Sequence, residues 1–357
     1  MPPYHILVIN PGSTSTKVAV YEDERPLCVS TIRHTPDELA AYAQIIDQHD
    51  FRRQLVTDWL AQNNIPLRFD AIIGRGGLIK PIPGGVYRVN RKMCFETYYA
   101  LRKHACNLGC ILAYELAKEQ GGGCQAYIAD PVTVDELVPE ARVSGSPLMP
   151  RLAIWHALNQ RAIARRYARQ VGCSYSDLNL IVCHLGGGIS VAAHEHGRAI
   201  DANNALDGEG PLSPERAGTL PAADLIHLCY SGRYTEEQLK KRVAGQAGLM
   251  AHLGTTDILQ IMQMIEQGNE RARLLINAMI FHTAKQIAAE GAVLCGRVDA
   301  ILLTGGMAHS AYITEGIKQR VSYLAPVHVF PGEDEMEALA LNALAVLRGE
   351  CQAKEYE

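Results

Sequence analysis

The sequence contains no run of apolar residues near the roughly 18 that a membrane span requires, so no membrane partner is expected. Its formal net charge of −4 shows no excess of basic residues, so no nucleic-acid partner is expected either. The opening, MPPYHILVINPG, lacks the basic segment of a signal peptide. The ten cysteines follow no disulfide-framework spacing and fit a reducing compartment. Together these features predict a cytoplasmic globular protein. At 357 residues it should contain two domains.

The segment 5–23, HILVINPGSTSTKVAVYED, has the small and hydroxyl residues of a phosphate-binding loop. It is not a P-loop, because Lys17 is preceded by Thr16 and followed by Val18. KVAVY alternates and is rich in β-branched residues, which predicts a second strand instead of a helix. The segment is therefore predicted to be a β-hairpin whose turn presents backbone N–H groups and hydroxyls to phosphate.

The segment 180–193, LIVCHLGGGISVAA, repeats this design of apolar strand, small-residue turn and returning strand. The repeat favours a duplicated domain, and a chance agreement of two glycine-rich hairpins is the alternative. A third glycine turn, LLTGGMAHS at 302–310, follows an apolar strand. It suits close approach of an adenosine or a helix N-terminus, and a plain tight turn is again the alternative.

The rest of the chain alternates strand and helix patterns. Further strands are predicted at 69–77, 124–131, 298–310 and 326–334, and helices at 51–60, 95–118, 149–171, 270–291 and 335–348. This alternation, together with the hairpins, predicts an α/β architecture of mixed sheets flanked by helices. The HEH segment at 194–196 is predicted to be the exposed tip of a second hairpin, with no function assigned.

Six motifs follow one another along nearly the whole chain. They are NPGSTSTK at 10–17, GRGG at 74–77, ADPVTVDEL at 129–137, HLGGGIS at 184–190, DGEGPLSPERAGTLP at 207–221 and LLTGGM at 302–307. In this order they resemble the acetate and butyrate kinase family of the sugar kinase–Hsp70–actin superfamily, and two of them look like its butyrate branch. The resemblance implies a duplicated ribonuclease-H-like (actin-like ATPase) fold with a nucleotide cleft between two domains. It places the domains at 1–147 and 148–332, with a C-terminal helix in 333–357 packing back onto the first.

The resemblance also implies reversible, in-line phosphorylation of a short-chain fatty acid, in which butyrate and ATP give butyryl phosphate and ADP with Mg²⁺ present. A carboxylate with a pKa near ~4.5 is ionised at neutral pH, so such a site needs positioning and positive charge more than a general base. Alternatives are an isobutyrate, acetate or propionate kinase, and, in another class, a non-catalytic ATP-binding switch. The resemblance further implies a homodimer or larger homo-oligomer.

Site residues are carried over by motif position. The implied catalytic residues are Arg75, Asp130, His184 and Arg216; the arginines would hold the carboxylate and the moving phosphoryl group. The implied phosphate and nucleotide contacts are Asn10, Ser13, Ser15, Lys17, Gly186, Gly187, Gly188, Gly305 and Gly306. The implied Mg²⁺ positions are Asn10, Glu333 and Glu335, with the register among Glu333, Asp334 and Glu335 left open; acids favoured at a helix N-terminus are the alternative explanation.

Gly76 and Gly77 follow Arg75, where acetate kinases carry valines that wall the acyl pocket. Two interpretations stay open. Either the glycines leave room for a longer acid, or they serve a tight turn that needs a positive φ angle.

Overall fold

The structure is a computed structural model and describes residues 2–100 and 104–357. The chain divides into two compact units. Unit 1 comprises Met1–Val134 and Asp334–Glu357, and unit 2 comprises Asp135–Glu333. The domain limits at 147 and 332 rest on the family resemblance and stay a prediction, whereas compactness places the divisions after Val134 and Glu333.

A six-stranded mixed sheet forms the centre of unit 1. Its strands are β1 (His5–Pro11), β2 (Ser15–Glu22), β3 (Arg25–Arg33), β4 (Ala71–Arg75), β5 (Val86–Arg88) and β6 (Gln125–Ala129). They lie in the order β3-β2-β1-β4-β6-β5. β1 is antiparallel to β2 and parallel to β4, and β4 is parallel to β6. Residues 6–9 of β1 are completely buried, as expected for the apolar run of a central strand.

A five-stranded mixed sheet forms the centre of unit 2. Its strands are β7 (Asn179–Leu185), β8 (Ile189–Glu195), β9 (Arg198–Ala202), β10 (Ala300–Gly305) and β11 (Val327–Pro331). They lie in the order β9-β8-β7-β10-β11. β7 is antiparallel to β8 and parallel to β10, and β10 is parallel to β11.

The two sheets share one topology. The strands β1, β2, β3, β4 and β6 of unit 1 have the same order and directions as β7, β8, β9, β10 and β11 of unit 2, and β5 is an addition at the edge. Each sheet begins with the predicted hairpin, and each hairpin turn spans three residues, 12–14 and 186–188. The predicted duplication is therefore confirmed.

Helices cover both sheets. In chain order they are α1 (Pro36–Ala40), α2 (His49–Gln62), α3 (Arg91–Tyr98), α4 (Asn107–Gln120), α5 (Pro139–Arg142), α6 (Ala157–Val171), α7 (Ala222–Cys229), α8 (Glu236–Val243), α9 (Gly248–Leu253), α10 (Ile258–Glu266), α11 (Glu270–Val293), α12 (Ala311–Val321) and α13 (Glu335–Leu347). Short 3-10 helices occupy Ile45–Gln48, Tyr175–Asp177 and Gly306–His309. No helix in the described ranges has both the length and the apolarity needed to cross a membrane.

The cores follow from strand alternation. In unit 2, Ile181 and Cys183 of β7 pack in the core that includes α11 and α12. Leu180 and Val182 face the other way and pack with Ile163 of α6. The unit 2 sheet is therefore buried on both faces, which explains its apolar central strands.

Two helix predictions need correction. A single helix at 95–118 is wrong, because α3 ends at Tyr98 and α4 begins at Asn107; residues 101–103 lie outside the described ranges. The His104 imidazole accepts a 3.2 Å hydrogen bond from the N–H of Cys106, the residue just before α4. The helix predicted from 149 begins only at Ala157. Before it, the Arg151 side chain is bound to Asp201, which holds this segment as a loop.

Candidate active site

The strand ends of unit 1 bring three predicted site residues together. β1 and β4 run parallel, so Asn10 and Arg75 lie at the same edge of the sheet. Glu335, the first residue of α13, contacts both. Its Oε2 accepts a 2.7 Å hydrogen bond from Asn10 Nδ2, and its Oε1 pairs with Arg75 Nη1. We call these three residues the Glu335 cluster; since Asn10 and Arg75 are buried, their polar groups are shielded from water.

The turn of the first hairpin lies next to this edge. Ser13 is exposed at the tip of the turn, and Ser15 and Lys17 are half-buried on β2. Lys17 stands opposite Asn10 in the β1–β2 register. The Gly12 N–H donates a 2.7 Å hydrogen bond to the Ser15 carbonyl, which closes the turn. The predicted small-residue turn is present, and its phosphate contacts stay a prediction.

Asp130 follows β6 and is completely buried. Its φ angle of +38° is unusual for a residue other than glycine. Asp130 and Gly85 exchange two hydrogen bonds, from Gly85 N to Asp130 Oδ1 at 2.7 Å and from Asp130 N to the Gly85 carbonyl at 3.0 Å. Asp130 therefore holds the loop before β5, and its catalytic role stays a prediction.

Gly76 and Gly77 fit neither interpretation offered above. A Cβ at Gly77 would come within 2.6 Å of Asn107 Cα, and one at Gly76 within 2.7 Å of Pro131 Cβ. The added group would meet protein atoms and not open pocket space, so the room-making interpretation is wrong. Neither glycine has a positive φ angle, so the turn interpretation is wrong as well. These glycines are needed because the chain packs closely against the start of α4 and against Pro131.

In unit 2, His184 occupies the end of β7 and is 1% exposed. Its Nδ1 lies 2.8 Å from Asn159 Oδ1, and its Nε2 lies 3.1 Å from Glu333 Oε1. Contacts at both ring nitrogens fix the orientation of the imidazole. Glu333 thus belongs with His184, whereas Glu335 belongs with Arg75.

His156 is a site residue that the sequence reasoning missed. Its ring stacks on His184 with centroids 3.8 Å apart and an interplanar angle of 11°. The Ser190 hydroxyl receives N–H groups from Gln160 Nε2 at 2.8 Å and from His156 N at 3.3 Å. This hydroxyl therefore donates to His156 Nδ1, 2.8 Å away. The polar spacing of His156, Asn159 and Gln160 along the first turns of α6 is the signal that could have identified them.

The 186–188 turn packs directly on polar side chains. A Cβ at Gly188 would lie 2.2 Å from Arg216 Nη1, and one at Gly186 would lie 2.7 Å from His184 Nε2. Burial lowers the pKa of Arg216, and Glu215 opposes this shift. The turn thus needs glycine, because its neighbours are the two predicted catalytic side chains of unit 2.

The HEH prediction needs correction as well. His194 is completely buried. Its Nδ1 contacts Tyr175 Oη at 2.6 Å, and its Nε2 contacts Gln160 Oε1 at 3.2 Å. Burial, reinforced by Arg161, lowers the pKa of His194 to about 3, so the ring is neutral. The hairpin tip lies at His196, whose φ angle is +49°.

The third glycine turn has two different glycines. Gly305 has a φ angle of +93°, and a Cβ there would lie 2.5 Å from the Leu185 carbonyl oxygen. Gly305 is therefore required by the fold. Gly306 has no positive φ angle, and a Cβ there would meet no atom within 4 Å. The described protein atoms give no steric reason for glycine at this position.

Among the described residues, no group of three or more His, Cys, Asp or Glu side chains is arranged to hold a metal ion. Mg²⁺ usually binds through only one or two carboxylates and keeps water or phosphate oxygens as its other ligands. Carboxylate and amide oxygens at Asn10, Glu333 and Glu335 are of the type that it prefers.

Known proteins resemble this chain over its full length. Residues 153–328 match the acetokinase family. A protein named probable butyrate kinase from Bacteroides thetaiotaomicron is 62% identical over 352 residues, which is 99% of both chains. The chain belongs to the acetokinase family. Another member, named butyrate kinase 2, from Clostridium acetobutylicum, is 48% identical over 356 residues, again 99% of both chains.

Solved structures of the family support the fold. A Porphyromonas gingivalis acetate kinase aligns with a TM-score of 0.77 at 18% identity, covering 96% of this chain and 100% of that one. A propionate kinase from Francisella tularensis aligns with a TM-score of 0.77 at 17% identity, covering 95% of this chain and 98% of that one. The α/β fold with two mixed sheets, predicted from the sequence, is confirmed.

Proposed function

We propose that this chain catalyses the reversible transfer of a phosphoryl group from ATP to butyrate, giving butyryl phosphate and ADP. The choice of butyrate rests on the relatives of 48–62% identity that carry this name. We further propose that each compact unit is one acetokinase-type domain.

The geometry that carries the proposal is the 186–188 turn of unit 2. Gly188 lies against the Arg216 guanidinium and Gly186 against the His184 imidazole, without room for a side chain, and Gly187 between them lies against the Glu215 carboxylate. Backbone N–H groups, a guanidinium and an imidazole are the donors that stabilise a transferring phosphoryl group. Such a site suits anion chemistry and needs no nucleophilic side chain, because the carboxylate substrate is itself the nucleophile.

Unit 1 contributes a second set of groups. Arg75 supplies a planar guanidinium suited to a carboxylate or a phosphate, and Glu335 orients it. Asn10 donates its amide N–H to Glu335, so its Oδ1 is left for a cation or for water bound to it. We assign Ser13, Ser15 and Lys17 to phosphate contacts at the first turn.

We propose Mg²⁺ as the cation. Asn10, Glu333 and Glu335 are the residues that we propose to contact the cation or its bound water. The ion supplies positive charge that offsets the charge of the phosphates. The oxygen donors fit this role, whereas the buried cysteines do not.

The adenosine of ATP is proposed to approach Gly306. Gly306→Ala should leave the free energy of unfolding unchanged, because the methyl group meets no atom within 4 Å. The variant should bind ADP more weakly if the base or ribose occupies that space. Calorimetric titration with ADP measures this, and unchanged affinity would make Gly306 a plain turn residue.

An acyl phosphate assay tests the function directly. Purified protein, ATP and Mg²⁺ are incubated with straight and branched acids of two to five carbons, and acyl phosphate is trapped with hydroxylamine. Butyrate should give the highest kcat/KM. Another acid in first place would reassign the substrate, and nucleotide binding without acyl phosphate from any acid would favour the ATP-binding switch.

The variant Arg216→Ala tests whether this guanidinium takes part in catalysis. Loss of a preorganised donor costs about 2.7–4 kcal/mol, so kcat should fall at least about 100-fold while the fold persists. The control is Arg233→Ala, which removes an exposed guanidinium in the loop before α8. Turnover of Arg216→Ala within threefold of the unaltered protein would contradict the assigned role.

A further inference from the structure

Arg52 is a buried cation outside the residues discussed so far. It lies on α2 and is completely buried. Its Nε and Nη2 donate to Gln48 Oε1 at 3.1 and 2.9 Å. Its Nη1 donates to the Ser15 carbonyl at 3.1 Å and to Thr16 Oγ1 at 3.0 Å.

All of these acceptors are neutral. Within the described part of the chain, Arg52 forms no ion pair with any carboxylate. Burial lowers its pKa to about 10, so the guanidinium still carries its charge at neutral pH. A buried charge without a counter-charge is unfavourable, and buried charges in proteins are usually paired. The hydrogen bonds satisfy the N–H groups but do not neutralise the charge.

The position of this charge suggests its use. Ser15 and Thr16 are the first residues after the turn of the first hairpin. The Ser15 carbonyl is held by Arg52, and the Thr14 carbonyl accepts a 2.9 Å hydrogen bond from His34 N. The Thr14 and Ser15 carbonyl oxygens are thus bound from within unit 1, which reduces the negative potential that an approaching anion would meet.

We propose that Arg52 is a positioning residue that supplies a fixed positive charge behind the first hairpin turn and so strengthens phosphate binding there. This inference rests on the proposed function, in which the turn contacts nucleotide phosphate. At an effective dielectric constant of about 20, a fixed unit charge behind the turn is expected to change the affinity for a phosphate at the turn by about an order of magnitude. The effect should increase with the number of phosphates bound.

The experiment compares ligands that differ only in phosphate number. Calorimetry gives Kd for adenosine, AMP, ADP and ATP with the unaltered protein, Arg52→Gln, Arg52→Lys and Arg53→Gln. Arg53 is the matched control, because it is the neighbouring residue on α2 but has a side chain that is 39% exposed and paired with Glu119.

Arg52→Gln should bind ATP about tenfold more weakly, ADP less so, and adenosine unchanged. Arg52→Lys keeps the charge and should keep the ATP-to-adenosine affinity ratio within threefold, and Arg53→Gln should match the unaltered protein. A merely structural role for Arg52 would weaken all four ligands alike, so an equal loss, or no loss, overturns the inference. If Arg52→Gln does not fold, the test rests on Arg52→Lys, which keeps the positive charge. A loss of the preference of this variant for phosphorylated ligands over adenosine would refute a role for charge. Failure of the unaltered protein to bind ATP would reject the proposed function and this inference with it.

Discussion

Glu290 should make the stability of unit 2 depend on pH. This residue of α11 is 1% exposed. Its Oε1 accepts a 2.8 Å hydrogen bond from Gln286 Nε2, whereas its Oε2 has no hydrogen-bond partner. Burial raises the pKa of Glu290 from 4.5 to about 8; the negative charge of Asp201 adds to this shift, whereas the Gln286 hydrogen bond and the positive charge of Arg151 oppose it. At neutral pH the folded protein therefore holds this carboxyl group protonated.

The sign and size of the effect follow from proton linkage. Because the pKa is raised in the folded state, the stability that Glu290 contributes is fully present below its unfolded pKa, 4.5, and is lost as the pH rises to about 8. Between these values the unfolded chain releases a proton that the folded chain retains. At 1.36 kcal/mol per pH unit, the loss between about pH 5.5 and about pH 8 is roughly 3 kcal/mol.

Glu290→Gln removes the titration and keeps an oxygen for Gln286. Any difference in hydrogen bonding between the variant and its parent is the same at both pH values. The informative quantity is therefore the change with pH in the difference between their free energies of unfolding. The variant's stability relative to the parent should rise by about 3 kcal/mol between about pH 5.5 and about pH 8. The sequence has two tryptophans, so a Trp59→Phe background leaves Trp155 of unit 2 as the reporter in urea unfolding.

Glu270→Gln is the control, because Glu270 lies on the same helix with an exposed side chain. It should leave the pH dependence of unfolding unchanged. If Glu290→Gln and its parent lose stability in parallel as the pH rises, Glu290 ionises without penalty and the reasoning is refuted.

Two glycine substitutions test the packing described above. Gly188→Ala should lower kcat nearly as much as Arg216→Ala does, because the added methyl group displaces the Arg216 guanidinium. Gly187→Ala should have a smaller effect, because its added methyl group would lie 3.2 Å from the nearest atom. Steady-state kinetics with melting curves separates these effects, and equal losses in the two variants would contradict the geometry. Gly77→Val should lower the free energy of unfolding by about 3 kcal/mol and lower activity on all acids alike, since it collides with Asn107. A shift in preference towards acetate would restore the room-making interpretation.

The duplicated core could be predicted because its signals are local. The hairpins of β1–β2 and β7–β8 combine buried apolar runs with turns of small residues, and both patterns are visible in the sequence. β3, by contrast, is largely exposed or half-buried, so RPLCVSTIR carries little apolar periodicity and was not identified. The break between α3 and α4 was missed because the N-cap residue of α4 is Cys106, which makes no side-chain capping hydrogen bond and which helix-start rules do not include.

The composition of the site was easier to predict than its contacts. The strand-end positions of Asn10, Arg75 and His184 follow from where apolar runs stop. The sequence does not show which acid contacts which partner. Glu333 and Glu335 are only two residues apart near the start of α13, yet Glu333 contacts His184 and Glu335 contacts Arg75. A shift of that helix start by two residues would bring Glu333 to the position of Glu335, and no local pattern fixes a helix start so closely.

The return of α13 to unit 1 has a consequence for synthesis on the ribosome. α13 packs against β1, β4 and β6, and Glu335 completes the Glu335 cluster. Unit 2 is one continuous segment, Asp135–Glu333, and is translated before α13. At 5–20 residues per second, the growing chain spends roughly 10–40 s with the sheet of unit 1 emerged but its last helix missing. Unit 1 is therefore translated first but completes its fold last. During that interval the strand face that α13 will cover stays exposed, and chaperones can bind to it.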